Sequence, residues 1–216
     1  MLITGPWKGL RKVADKYRSF QELSQQEVLG RDYTILFSNE DSPVLIIAPH
    51  GGKIEPGTTE LARAVAGDEW GFYSFYGIKI LNTHRELHIT STNFDEPIAL
   101  SMVVSSTRTV AIHGCKEDSG KIYLGGLDAE LKEYIRRVLV AGGFAVSEHP
   151  KFPGTSRANI CNRNRLGKGV QLEVAAGLRK LMFPGFPQRD RTTRYFDEFV
   201  RAVRSGITIC MEKSEN

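Results

Sequence analysis

The sequence predicts a single α/β domain in which strands alternate with helices. Several short segments are apolar without interruption, such as residues 44–48, and strands of this kind are covered on both faces by other layers. Segments with a helical spacing of apolar residues separate these runs. A chain of 216 residues suits one domain with a sizeable core.

The first third of the chain predicts a helix, two strands and a second helix. A serine before an amphipathic segment is typical of an N-cap, so a helix is expected over residues 19–26. The segments "DYTILFS" and "SPVLIIAP" predict strands. In "GTTELARAVAG" the threonines suit the start of a helix and the last glycine suits its end.

The middle of the chain predicts further strands and helices. Strands are expected in the β-branched and aromatic segments "FYSFYGI", "ELHITST", "RTVAIHG" and "GKIYLGG". Helices are expected in "EPIALSMVVSS" and in "LDAELKEYIRRVLVAGG", which places its apolar residues on one face.

The last third predicts two strands, "FAVSEH" and "KGVQLEVA", and a closing helix in "RTTRYFDEFVRAVRSG". Residues 149–168 form a long segment rich in Pro, Asn, Arg and Gly, and irregular loops of that length are usually functional. The expected organisation is a helical extension over residues 1–30, a core over 31–206 and a C-terminal tail over 207–216.

Composition narrows the class of protein. Three widely spaced cysteines argue against a disulfide scaffold and fit a reducing compartment. No apolar run is long enough to span a membrane, and the N-terminal segment has no signal-peptide pattern, so the protein is expected in the cytoplasm or released by lysis. The net charge of +4 favours an anionic partner, either nucleic acid or an acidic polymer. A monomer is the default expectation.

The segment "VLIIAPHGGKIEPGTTELARAVA" carries the first functional signal. A buried strand ends there and is followed by His50, two glycines and Glu55. Sites in open α/β sheets form beyond the carboxyl ends of strands, and glycines allow the chain to bend tightly beside a ligand. Imidazole with carboxylate is a natural ligand pair for zinc.

Two further strands carry polar residues of the same kind. The strand "TVAIHG" ends at His113, and a set of two histidines and one glutamate leaves a coordination position open for water, as in catalytic zinc sites. The strand "GVQLEVA" contains Glu173 in an apolar run, where a carboxylate needs a partner or a catalytic role such as general base. Each residue taken alone also fits a structural role.

Two other patterns are interpreted as non-catalytic. In "HRELH" the glutamate is two residues after the first histidine, which is not the zincin spacing. If the segment is a strand, the rings of His84 and His88 are about 13 Å apart and cannot share a metal. Cys115 follows His113 by two residues, but Gly114 is expected to break the strand, so a thiol nucleophile is disfavoured.

With these residues collected, the chain resembles the poly-γ-glutamate hydrolase family of bacteriophages and bacteria, whose members have also been labelled phage-related replication proteins. The resemblance runs from "DYTILFS" to "RYFDEFVRAVRSG". Its marks are the segments "APHGGKIEPGTTELA", "LHITSTNFDEP", "AIHG", "ANICNRN" and "GVQLEVAAGLR".

The resemblance implies a mixed parallel and antiparallel sheet flanked by helices on both faces, similar to the zinc carboxypeptidases. It implies one zinc ion held by His50, Glu55 and His113, with Glu173 as the catalytic carboxylate. Arg163 is the first candidate for stabilising the oxyanion. The remaining candidates for substrate binding are Arg157, Asn162, Arg165 and His88.

The implied reaction is hydrolysis of γ-glutamyl amide bonds in poly-γ-glutamate, a polyanion that suits the basic pI of about 9.0. Two alternatives stay open. One is a zinc amidase acting on a small N-acyl-glutamate or a γ-linked cell-wall peptide. The other is a non-enzymatic nucleic-acid-binding protein, against which stands the lack of any nucleic-acid-binding motif in the sequence.

Overall fold

The computed structural model describes residues 14–214, which form a seven-stranded mixed sheet with helices on both faces. The strands are β1 (Tyr33–Ser38), β2 (Val44–Gly52), β3 (Gly71–Gly77), β4 (Arg108–Cys115), β5 (Lys121–Gly126), β6 (Ala145–Ser147) and β7 (Val170–Ala175). The helices are α1 (Phe20–Ser24), α2 (Thr58–Ala66), α3 (Thr83–Leu87), α4 (Pro97–Ser105), α5 (Ala129–Ala141), α6 (Ala176–Met182) and α7 (Arg194–Ser214). The predicted fold class is confirmed.

The strand order is β1-β3-β2-β4-β7-β5-β6. The four central strands, β3, β2, β4 and β7, run parallel to one another. Strand β1 is antiparallel to β3, and β5 is antiparallel to β7. The carboxyl ends of β2, β4 and β7 therefore meet at one edge of the sheet, where the predicted site residues lie.

Each face of the sheet carries its own apolar layer. On one face Ile46 and Ile112 pack with buried residues of α2, α5 and α7, such as Leu61 and Phe199. On the other face, which we call the site face, Leu45, Ile47 and Ala111 pack with residues of α1, α3 and α4. Successive strand residues thus alternate between two apolar layers, and for this reason the strand sequences are apolar on both faces.

The strand predicted for "ELHITST" is wrong. Residues Thr83–Leu87 form the short helix α3, and the chain then crosses the site face without joining the sheet. Leu87 and Ile89 are fully buried in the apolar layer there. Burial of these side chains, rather than strand pairing, satisfies the apolar and β-branched character of the segment.

Two glycines predicted to end elements lie inside them. Strand β4 continues through Gly114, which pairs with Val174 of β7. Helix α7 continues through Gly206 to Ser214, so the predicted tail is helical over most of its length. A Cβ on Gly206 would lie 2.7 Å from the Cα of Ile135, so this glycine allows α7 to approach α5 closely.

The predicted N-terminal extension contains α1, which Ser19 caps as expected through its side chain. The part of the extension before residue 14 lies outside the described residues. The long segment 149–168 contains one 3₁₀ turn, Ile160–Asn162. Helix α6, directly after β7, was not predicted. Within residues 14–214, no helix is both long enough and apolar enough to cross a membrane.

Candidate metal centre and catalytic carboxylate

His50 is delivered to the site face by an irregularity in β2. The alternation along this strand would place His50 on the same face as Ile46 and Ala48, but the register against β3 shifts between Ala48 and Gly51. The ring of His50 instead contacts Phe94, which belongs to the layer of the site face. A bulge of this kind commonly re-aims a side chain next to a functional site.

The glycines that follow His50 have separate roles. A Cβ on Gly51 would lie 2.1 Å from the Oγ of Ser74, so only glycine fits between β2 and β3 at this point. Gly52 has a φ of +64°, a left-handed conformation that favours glycine. The chain can therefore leave the sheet sharply and return Glu55 to the strand ends.

Glu55 is fixed by two backbone groups. Its own amide donates to the carbonyl oxygen of His50 at 2.9 Å. Its Oε2 accepts a hydrogen bond from the backbone amide of Gly114 at 2.8 Å. The residue is 8% exposed, so its carboxylate lies under the surface between β2 and β4.

The three predicted metal ligands converge. The Nδ1 atoms of His50 and His113 are 3.1 Å apart. Glu55 places Oε1 at 3.3 Å from Nδ1 of His50 and Oε2 at 3.7 Å from Nδ1 of His113. One donor atom from each residue lies within 4.8 Å of the others.

This donor set fits a zinc ion. Tetrahedral coordination at about 2.0–2.1 Å places neighbouring donor atoms roughly 3.3 Å apart, close to the separations seen here. His50 directs Nε2 at the carbonyl oxygen of Ile89 at 2.8 Å, so that nitrogen carries the proton and Nδ1 presents a lone pair to the centre. A cation at the centre would also compensate the close approach of two ring nitrogens and a carboxylate.

The charge balance of the cluster favours an ionised Glu55. Burial by itself raises the pKa of this carboxyl group, but the imidazoles of His50 and His113 outweigh burial and hold the pKa well below its ordinary value. The group is therefore a carboxylate, the form that binds metal.

Glu173 lies beside His113 on the site face. The two residues are paired in the parallel register of β4 and β7, so their side chains point to the same face. Burial, followed by repulsion from Glu55, raises the pKa of Glu173 well above its ordinary value. A carboxyl group with a raised pKa is suited to accept and return a proton near neutral pH.

A chain of hydrogen bonds orients Glu173. The side-chain nitrogen of Asn159 donates to Oε1 of Gln171 at 2.8 Å, which leaves the Gln171 amide nitrogen to donate to Oε1 of Glu173 at 3.0 Å. Gln171 was not predicted as a site residue. Its signal was its position two residues before Glu173, which places both side chains on one face of a strand.

Arg179 is a second residue of the site that was not predicted. It lies on α6, is 3% exposed, and donates to three backbone carbonyl oxygens. These belong to Pro56 at 2.6 Å, Cys115 at 2.8 Å and Val174 at 3.1 Å. Arg179 therefore connects residues 53–57 between β2 and α2, which we call the Glu55 loop, with the ends of β4 and β7. A charged residue inside an apolar helical segment was the available signal.

His88 and His84 lie on the site face. The ring of His88 contacts that of His50, with centroids 4.1 Å apart and planes tilted by 30°, and its Nδ1 is 2.7 Å from Oδ1 of Asp15. The rings of His84 and His88 are 4.8 Å apart across one helical turn, so the 13 Å separation predicted for a strand is wrong. The metal-ligand cluster found among residues 14–214 includes neither of these two histidines.

Hydrogen bonds of the Asn162 and Arg163 side chains hold the long segment 149–168 in place. The side chain of Asn162 bonds the backbone of Leu127, Gly154, Ser156 and Gly169. The guanidinium of Arg163 donates to the carbonyl oxygens of Ala158, Thr92 and Phe94. Arg157 and Arg165 are exposed. The roles predicted for these four residues in catalysis or substrate binding stay predictions.

Cys115 is buried, and burial raises the pKa of its thiol. A thiol with a raised pKa is a poor nucleophile, which agrees with the interpretation of this residue as a small apolar side chain.

The fold and the site together define an α/β protein with a His–Glu–His cluster that could hold a metal ion and an adjacent buried glutamate. Residues 17–203 match the model of the family described as poly-gamma-glutamate hydrolase, and the chain belongs to this family of hydrolases.

Relatives with curated sequences come from Bacillus subtilis strain 168. The SPβ prophage-derived UPF0714 protein YoqZ is 42% identical over 176 residues, which are 80% of this chain and 63% of that protein. The chain thus spans less than two thirds of YoqZ. The UPF0714 protein YmaC is 36% identical over 203 residues, which are 92% of this chain and 85% of that protein.

Two solved structures share the fold. A bacteriophage poly-gamma-glutamate hydrolase superposes with a TM-score of 0.88 at 32% identity, covering 93% of this chain and all of that one (100%). The zinc-free apo form of YndL superposes with a TM-score of 0.84 at 33% identity, covering 94% of this chain and 100% of that one.

Proposed function

We propose that the protein is a zinc-dependent hydrolase that cleaves γ-glutamyl amide bonds, with poly-γ-glutamate as its substrate. One zinc ion would be held by His50, Glu55 and His113. The observation that carries the proposal is the convergence of their donor atoms within 4.8 Å, beside Glu173 on the same face of the sheet. The family description and a relative solved in a zinc-free form support the same chemistry.

Each side chain has a defined task in this mechanism. When bound, zinc supplies Lewis acidity that activates a water molecule and polarises a carbonyl group. Glu173 accepts a proton from the attacking water as the new C–O bond forms at the γ-carbonyl carbon. It then donates that proton to the amine as the C–N bond breaks. The raised pKa of Glu173 suits both transfers.

Arg163 is kept as the candidate that stabilises negative charge on the attacked carbonyl oxygen. Of the five N–H donors of its guanidinium, three bond backbone carbonyl oxygens within residues 14–214, which leaves one on Nη1 and one on Nη2 for this role. The contact of Nη1 with the Phe94 oxygen, at 3.5 Å, is the longest of the three and the easiest to exchange. The partner is an anionic polymer, and nucleic-acid binding is not part of the proposal.

The test combines metal content with hydrolysis of poly-γ-glutamate. We expect near-stoichiometric zinc in the purified protein, loss of hydrolysis on chelation, and recovery when zinc is restored. Glu173→Gln should retain zinc and lose hydrolysis, whereas Glu148→Gln should behave like the wild type because that side chain is 70% exposed.

Two results would contradict the proposal. Wild-type hydrolysis by zinc-loaded Glu173→Gln would remove Glu173 from the mechanism. Zinc binding without cleavage of the polymer would replace the substrate by a small N-acyl-glutamate or a γ-linked peptide.

A further inference from the structure

A basic cleft opens next to the metal cluster. Its volume is about 440 Å³. Three of its lining residues are connected to the cluster, because Pro56 follows Glu55, Lys116 is three residues after His113, and the ring of His84 contacts that of His88, which contacts His50. The lining residues are Lys53, Pro56, Ile80, Asn82, Thr83, His84, Arg85, Lys116 and Pro187.

The charge of this cleft is uncompensated. Lys53, Arg85 and Lys116 are exposed cations, and no aspartate or glutamate lines the cleft. The Lys53 ammonium group donates to the carbonyl oxygen of Ile78 at 2.9 Å, which is a neutral partner. Arg85 and Lys116 have no ion pair or side-chain hydrogen bond to any part of the chain between residues 14 and 214. Cations gathered in one concave surface raise the local concentration of anions.

The rest of the lining is apolar or neutral. Ile80 is 86% exposed, and Pro56 and Pro187 also border the cleft. An exposed isoleucine at the mouth of a basic cleft favours a ligand that carries methylene groups between its charges. A γ-glutamyl chain has this composition, since each unit contributes two methylene groups to the main chain and one free α-carboxylate at its side.

We propose that this cleft recognises the α-carboxylates of γ-glutamyl units next to the bond that is cleaved, with Lys53, Arg85 and Lys116 supplying the charge. This inference rests on the proposed function. It assigns polymer recognition to the surface between the Glu55 loop, α3 and the end of β4. The sequence alone instead predicts substrate recognition mainly by the loop that carries Arg157 and Arg165.

The test is equilibrium binding of a fluorescently labelled γ-glutamyl oligomer, followed by anisotropy. Zinc-loaded Glu173→Gln serves as the parent, so that the oligomer is not consumed. Single replacements of Lys53, Arg85 or Lys116 by Gln should weaken binding about two- to fivefold, and the triple replacement about tenfold or more, as expected for exposed ion pairs. The effect should shrink at high salt, because added salt screens exposed charges.

Two controls separate a specific subsite from general attraction. A matched variant replaces Arg137, Arg201 and Lys213 by Gln, which removes the same charge from exposed positions on α5 and α7. It should bind the oligomer almost as tightly as the parent. An oligomer with every α-carboxylate converted to an amide should bind the parent and the cleft variant equally.

The inference is overturned if the cleft variant binds the anionic oligomer as tightly as the parent, or if both triple variants lose affinity equally. It is also overturned if the parent does not bind the anionic oligomer. Failure of the proposed function gives a different result, in which wild-type protein binds through the cleft but does not cleave the polymer.

Discussion

Gly114 of β4 and Arg179 of α6 fit together so closely that the glycine has no room for a side chain. A Cβ on Gly114 would lie 2.7 Å from the guanidinium carbon of Arg179. The amide of the same glycine donates to Glu55 at 2.8 Å. One backbone position of β4 thus contacts both a candidate metal ligand and the arginine that holds the surrounding loops.

Replacement of Gly114 by Ala should destabilise the fold and weaken metal binding. The guanidinium of Arg179 would have to leave the three carbonyl oxygens that it binds, at a cost of about 1–3 kcal/mol in the free energy of unfolding for an overpacked position. Denaturant unfolding and zinc affinity measure the two effects. Gly120→Ala is the control, because a Cβ there meets no atom within 4 Å. Equal stability of both variants would contradict the packing argument.

Replacement of Arg179, the packing partner of Gly114, by Met should also destabilise the fold and weaken metal binding. It leaves the carbonyl oxygens of Pro56, Cys115 and Val174 without their donor, and each buried unpaired group costs roughly 1–3 kcal/mol. We expect a lower melting temperature and weaker zinc binding, measured on the same sample. Lys180→Met changes the adjacent exposed residue and should alter neither quantity. A loss of stability with unchanged zinc affinity would mean that Arg179 does not position Glu55.

Replacement of Gln171 by Met should shift the pH dependence of hydrolysis. The Gln171 amide stabilises the ionised form of Glu173, so its removal raises the pKa of this carboxyl group further. The base must be ionised in the free enzyme, and the acidic limb of kcat/KM should therefore move to higher pH. Gln188→Met, at an exposed position, should leave the profile unchanged. A shift of the acidic limb to lower pH would contradict the stabilisation of ionised Glu173 by Gln171.

Substitutions of buried and of exposed polar residues in the segment 149–168 should affect different quantities, the stability in the first case and substrate binding in the second. Asn162→Ala removes a buried amide that bonds four backbone groups and should cost at least about 1–3 kcal/mol of stability. Arg157→Gln and Arg165→Gln should leave stability within about 0.5 kcal/mol, since both side chains are exposed. Their KM for the polymer decides whether these arginines bind substrate. An unchanged KM would remove them from the predicted recognition surface.

The sequence predicts the position of a candidate site residue where the pattern that identifies the residue lies within one short segment. His50, His113 and Glu173 each interrupt or end an apolar strand, and parallel strands bring their carboxyl ends together, so their proximity followed from local patterns. The contacts of Arg179 with β4 and with the Glu55 loop join residues 64 and 123 positions apart in the chain, and no local pattern encodes them.

Glycine and β-branched residues were misread for a related reason. Gly114 and Gly206 were predicted to end elements, but each instead allows another part of the chain to approach closely. The segment "ELHITST" has strand propensity and yet finds no neighbouring strand. In all three cases the tertiary neighbour decides the conformation, and it cannot be identified from local composition.

The hydrogen bond between Glu55 and Gly114 spans 59 positions of the chain, and the close pair of His50 and His113 spans 63. An unfolded chain therefore offers a metal ion no comparable set of ligands, and zinc would bind almost exclusively to folded molecules. Free zinc at a hundredfold excess over its dissociation constant would shift the folding equilibrium by about 2.7 kcal/mol. The amount of zinc that a preparation takes up would then measure the fraction of correctly folded molecules. A chelator would act on this protein as a mild denaturant.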